Sequence, residues 1–182
     1  MKTALLLSAV ASCLAFSTVL PAQAGSTTWA AIAAAPQPAA GYDNGAGDKV
    51  VITCDDQRGL HTYTLAISMP AQSLKDDDWA QVRVAGRSLD MTVDVDDAGM
   101  ATLTASSSTA RYSDAQAPAA GAEVYDAVAA MKGSSSIGIS SGDVHLTVPG
   151  AGLDAALADA VATCGDPQKL AQQVKHRSDA SS

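Results

Sequence analysis

Alternation of apolar and polar residues dominates the chain between residues 49 and 148. His61, Tyr63, Leu65, Ile67 and Met69 alternate with Thr62, Thr64, Ala66 and Ser68, the period of a strand with one buried and one wet face. Pro70 closes that run. Val50, Ile52 and Cys54 share one face of an earlier strand, Lys49 to Cys54. Ala80, Val82 and Val84 form a third, with Gly86 in the turn that follows. Leu89, Met91, Val93 and Val95 form a fourth, which Asp96-Asp97-Ala98-Gly99 turns into Met100 to Ala105. Ile137 to Ser140 and Val144 to Val148 flank Ser141-Gly142-Asp143 as a last hairpin. Short turns between consecutive strands predict an antiparallel meander.

Helical spacing enters late. Val124, Val128 and Met131 predict a helix over Ala122 to Lys132, ended by Gly133. Leu153, Leu157, Val161 and Cys164 lie four, four and three apart, one stripe of a helix that Gly165 caps. Residues 167–182 read as a polar tail that frays. Residues 25–48 read as an alanine-rich lead-in with two readings open. Ser26 or Thr27 caps a short helix carrying Trp29 and Ile32, ended by Pro36 and Pro38, or the segment is a mobile linker. The fold class expected is α+β: a single domain over 49–166, its antiparallel sheet of six or seven strands packed by a C-terminal helix.

The N-terminus changes the compartment. Lys2, the apolar run Ala4 to Leu20, Pro21 and the small-x-small site Ala22-Gln23-Ala24 have the layout of a cleavable bacterial signal peptide over 1–24, with Gly25 opening the mature chain. That layout implies a periplasmic or secreted protein. A competing site, Val10-Ala11-Ser12-Cys13, would make a lipoprotein anchored at Cys13. No later run approaches the roughly 20 apolar residues of a spanning helix, so no membrane span is expected. Cys54 and Cys164 then form an even pair, and each falls on the buried side of its element, which predicts a disulfide. Two thiols without paired histidines do not complete a zinc site.

Eleven basic against nineteen acidic side chains give the chain a charge of −8; without Lys2 the balance is ten against nineteen, or −9. Such a surface repels phosphates and excludes nucleic acid as a partner. It favours a basic protein partner, or it serves solubility alone. The one phenylalanine, Phe16, lies in the signal, so Trp29, Trp79 and four tyrosines supply the large rings.

Chemistry is sparse. Gly138-Ile139-Ser140-Ser141-Gly142 matches the G-x-S-x-G nucleophile elbow, which requires a strand-to-helix turn. A strand follows here, and three small residues at a hairpin tip explain the match. Asp94, Asp96 and Gly99 echo a calcium loop, but Ala105 stands where its bidentate acid belongs. Asp76-Asp77-Asp78 reads as a charged loop. His61 falls on an apolar face as a core or rim residue, His145 faces outward, and His176 sits in the tail. No nucleophile, base and orienter assemble, so no enzyme and no cofactor or metal are expected. The serine-rich stretches Ser106-Ser107-Ser108 and Ser134-Ser135-Ser136 are connectors or, in the case of Ser106, Ser107 and Ser108, a loop that enters a partner's cleft.

Trp29 near the mature start, the strand end Ile52-Thr53-Cys54, Val128 to Ser136, and Gly152-Leu153-Asp154-Ala155-Ala156-Leu157 before Cys164 together resemble small bacterial periplasmic proteins of the invasion-associated locus B type and related type VI accessory domains. The resemblance implies a β-rich, non-enzymatic accessory domain and assigns no functional residue. Three functions follow in order: a periplasmic accessory or binding protein, an inhibitor or immunity protein against a basic cell-wall hydrolase, and an esterase resting on Ser140 alone.

Overall fold

The computed structural model describes residues 26–32, 37–72, 74–76, 78–109 and 121–180, with the side chains of Ser26 and Thr27 left aside. The signal segment 1–24, Gly25, Cys13, Pro36 and Asp77 lie outside the described residues. Among the described residues nine strands and four helices follow in the order β1 (Ser26–Ala31), β2 (Ala39–Asp43), β3 (Lys49–Gln57), β4 (Leu60–Pro70), β5 (Trp79–Val84), β6 (Arg87–Val95), β7 (Met100–Ser108), α1 (Glu123–Met131), β8 (Ser136–Ser141), β9 (Val144–Pro149), α2 (Leu153–Ala156), α3 (Ala158–Cys164) and α4 (Pro167–Asp179).

All nine strands join one antiparallel sheet of spatial order β1-β2-β3-β4-β7-β6-β5-β8-β9. The meander expected from short turns is therefore interrupted. After β4 the chain skips two places, and β5, β6 and β7 fill back until β7 pairs with β4 over nine positions. Local spacing cannot show such a step, because each hairpin satisfies the alternation rule whichever neighbour it takes.

The strand count exceeds six or seven because residues 25–48 hold two strands, not a helix or a linker. Trp29 decides this: it is 4% exposed, packs against Tyr42 at 6.0 Å between ring centroids, and donates its indole Nε1 to Pro149 O at 2.7 Å. Burial of that ring and pairing with β2 outweigh the helix preference of the alanines. Trp29 N also donates to Ala151 O at 3.2 Å, so the first strand meets the chain leaving the last and the sheet curls almost into a barrel. Gly152 permits this approach. At φ +87 it takes a left-handed conformation, and a Cβ there would stand 2.9 Å from Trp29 O.

The inner face carries the core: Ile52, Tyr63, Leu65, Ile67, Met91 and Leu103 are buried against Val124, Tyr125, Val128 and Leu157 of the helical side. Tyr63 and Tyr125 meet edge to face at 5.8 Å and do the filling that phenylalanine does elsewhere. Their hydroxyls, donating to Gly165 O at 3.0 Å and His61 O at 2.6 Å, tie the end of α3 and the start of β4 into that core. Burial pushes both phenols well above their ordinary range.

The cysteine helix is two short pieces, α2 and α3, meeting at Leu157, and its stripe faces inward as its spacing predicts. Cys54 and Cys164 form the disulfide, with Cα atoms 6.2 Å apart and 110 residues between them. Residues 167–179 are not a fraying tail. Asp166 caps α4 by accepting from Gln168 N and Lys169 N, Pro167 begins the helix, and Leu170, Ala171 and Val174 are buried. Lys175 Nζ pairs with Asp126 of α1 at 2.6 Å. Lead-in and tail thus belong to the same folded body as the residues between them.

Candidate interaction surface

Ser106, Ser107 and Ser108 do not form a loop. They are the last three residues of β7, paired with Thr64, Tyr63 and Thr62 of β4. Thr64 Oγ1 and Ser106 Oγ lie 2.7 Å apart, and Thr62 Oγ1 donates to Ser108 Oγ at 3.1 Å. Ser107 is wholly buried, and its Oγ accepts from Val124 N at 3.0 Å. Ala122 offers α1 no side-chain cap, so a serine from a strand satisfies the helix's first orphan donor. The stretch reads as a polar connector because serine is a poor strand former, but pairing with β4 carries it along. A cleft-entering role has no free loop to act through.

The G-x-S-x-G residues lie on a hairpin, with Ser140 inside β8 and Gly142 at φ +55 in the turn to β9. Antiparallel register does bring new neighbours: Arg83 of β5 and His145 of β9 stand directly opposite Ser140 on either side. Gly138, without a side chain, leaves a shallow hollow of about 260 Å³ beside the row. No hydrogen bond joins Ser140 to His145 among the described residues, and the serine is in mid-ladder rather than on a strand-to-helix turn.

The acidic residues serve turns. Asp96 Oδ1 accepts from Ala98 N at 2.9 Å and Met100 N at 2.8 Å, holding the β6–β7 hairpin. Asp76 Oδ1 accepts from Val95 N at 2.9 Å and Asp78 Oδ1 from Trp79 N at 2.8 Å. Among the described residues no group of three or more His, Cys, Asp or Glu is placed to hold a metal ion. All three carboxylates lie at the surface.

Asp78 adjoins a feature that sequence reading passed over. Trp79 opens β5 and is 59% exposed. It lies on the outer face, opposite Thr92, at the end of a rank that runs across seven strands: Ala30, Gly41, Val51, Ala66, Thr104, Thr92, Trp79. Asp90 and Asp94, two positions either side of Thr92 on the same face, stand diagonally from the indole. Ile32, 37% exposed, lies over Gly41 at the far end of the rank, where a Cβ would meet its Cδ1 at 2.7 Å. The outer surface is therefore a strip of small residues and hydroxyls with an exposed aromatic ring and a carboxylate rim at one corner. The signal was available. Ala80, Val82 and Val84 point inward, so extending that alternation back by one residue puts a tryptophan on the polar face.

No family model, no curated protein and no solved structure matches the chain.

Proposed function

We propose that this chain is an exported, non-enzymatic accessory domain that binds a basic protein through the acidic corner around Trp79. The observation that carries the reading is that ring. A large aromatic at 59% exposure, at the start of a strand paired with β6, is the kind of anchor that dominates binding energy once a partner covers it. Asp76, Asp78, Asp90 and Asp94 around it supply the rim that steers a cationic surface into register. The mature chain's charge of −9, ten basic against nineteen acidic side chains once Lys2 is removed, extends that steering over the whole molecule. Export rests on the signal layout of residues 1–24. The Cys54–Cys164 bond agrees with an oxidising compartment, and among the described residues no helix is long and apolar enough to cross a membrane.

A narrower form of this reading is the inhibitor of a basic cell-wall hydrolase. With Ser106 to Ser108 built into β7, the inhibiting contact falls to Trp79 and its aspartates. The test is titration of the purified mature protein with a basic lysozyme or amidase, and with cytochrome c as a basic protein without wall activity. Binding is followed by isothermal titration calorimetry, which reads native protein and Trp79→Ala alike. The expected result is binding that weakens as salt rises from low to physiological strength and that falls about thirtyfold or more in Trp79→Ala, about 2 kcal/mol of anchor energy. Loss of peptidoglycan hydrolysis in the complex would select the inhibitor. Binding unchanged by Trp79→Ala would overturn the site, and ester turnover lost in Ser140→Ala would overturn the non-enzymatic reading.

A further inference from the structure

A second surface presents basic side chains. Between α4 and the β3–β4 hairpin lies a cleft of about 400 Å³, lined among others by Leu60, His61, Lys169, Leu170, Gln173 and Arg177. Lys169, Gln173 and Arg177 are spaced by four and so form one stripe of α4, facing His61 and the exposed Leu60 across the opening. Arg177 is fixed in that wall by Nη1 donating to Thr109 O at 2.8 Å. The side chains of Lys169 and Gln173 make no hydrogen bond or ion pair among the described residues. The buried His61 Nδ1 has no hydrogen-bond partner among the described residues and lies 3.7 Å from Asp56 Oδ1. Asp166, at the cleft's end, is engaged: its carboxylate pairs with Lys132 Nζ at 2.8 Å and caps α4. In a mature chain of charge −9, a lysine and an arginine thus stand along one wall of the opening, and the carboxylate at its end is taken up by Lys132.

We propose that this cleft binds a short, extended acidic peptide. Shape argues for a chain over a single small anion. Eight residues of helix separate Lys169 from Arg177, about 12 Å of rise, which an extended peptide of about four residues spans. Lysine and arginine at the two ends suit carboxylates, the glutamine amide between them can donate to and accept from a peptide backbone, and Leu60 and Leu170 offer apolar contact. Repulsion from the distant acidic corner is screened beyond about 8 Å at physiological ionic strength, so the local groups decide. The site is independent of Trp79, which lies on the outer face of the sheet.

The experiment is fluorescence anisotropy of the mature protein with fluorescein-labelled tetraglutamate, its tetraglutamine counterpart, and inorganic phosphate as competitor. Tetraglutamate is expected to bind, tetraglutamine to bind at least tenfold more weakly, and both Lys169→Glu and Gln173→Glu to weaken tetraglutamate at least tenfold. Trp79→Ala should leave this binding unchanged. Both α4 positions are exposed, and circular dichroism confirms that the variants fold. Equal binding of the two peptides, or wild-type affinity in both variants, would overturn the proposal. Displacement by millimolar phosphate would overturn the peptide and leave a simple oxyanion site.

Discussion

The Trp79 corner and the α4 cleft differ in what holds them. Trp79 sits on β5, which pairs along its whole length with β6 and at its far end with β8. Trp79 stands opposite Thr92, with its own N–H taken by Asp78 Oδ1, and the adjoining bond from Val93 N to Asp78 O at 3.0 Å holds the start of the strand whatever the indole does. The cleft has no ladder on its helical side. Its wall, α4, hangs from a short series of ties: the disulfide at Cys164, the Tyr63 hydroxyl on Gly165 O, the Asp166 cap and its bridge to Lys132, and the Lys175–Asp126 pair. An aromatic anchor on a rigid sheet is preorganised and loses little entropy on binding. A cleft between a strand turn and a helix is set by a few side chains, so conditions that cut those ties act on it first.

Cutting the covalent tie should show the contrast most strongly. Cys54→Ser, or reduction, removes a cross-link over 110 residues, and the serine also leaves a hydroxyl at a fully buried site. The expected loss is about 3–5 kcal/mol of unfolding free energy, read as a lower urea midpoint. Amide exchange should rise across α3 and α4 before it rises in β5 and β6. Uniform loosening of sheet and helices together would erase the distinction between the two regions.

Ser107→Ala is the next test, because it reaches the helical side through α1. The change removes the acceptor of Val124 N in a fully buried place. The expected cost is about 1–3 kcal/mol, the penalty for leaving a buried donor unsatisfied. Ser106→Ala, whose hydroxyl meets only partly buried Thr64 on the outer face, should cost less than about 1 kcal/mol. If the two variants are equal in denaturant midpoint, the cap from β7 contributes nothing to α1.

How much of this was legible in the sequence follows the same division. The interior of the sheet was readable because Tyr63 to Met69 and Leu89 to Val95 alternate cleanly, and alternation is a property of the strand alone. Cys54 could be placed on a buried face for the same reason, and Cys164 by the helical spacing of its stripe. Trp29 misled, because its strand exists through contacts with Tyr42 and Pro149, one of them 120 residues away. The pairing of β4 with β7 is equally nonlocal. Residues 167–179 were read by their polarity as a tail, although Leu170, Ala171 and Val174 mark a narrow apolar stripe and Asp166-Pro167 is a helix start. The candidate sites were harder still. The Trp79 corner needed only one more step of alternation, but the α4 cleft needs His61 and Lys169 brought together over more than a hundred residues. Neither position alone suggests a partner.

The smallest effect is the acid response of the Asp166–Lys132 bridge. The hydrogen bond from Lys132 holds the Asp166 carboxyl below its ordinary 3.8, aided by the lysine's charge and by the N–H groups of Lys169 and Gln168, against an opposing contribution from burial. A carboxylate with a depressed folded value binds fewer protons when folded than when unfolded. Its stabilisation is therefore complete above the unfolded value and is lost as pH falls from about 4 through the folded one. Asp166→Asn keeps a side-chain oxygen to cap α4 and removes the charge. At pH 7 it should lower stability by about 1 kcal/mol or less, since both partners are more than a quarter exposed. The difference from the native protein should narrow steadily from pH 4 to pH 2, as the native carboxyl takes up its proton. Urea midpoints of the two proteins across that range decide it. A gap that stays constant to pH 2 would mean that the charge plays no part in holding α4, and that the cleft rests on the disulfide and the apolar stripe alone.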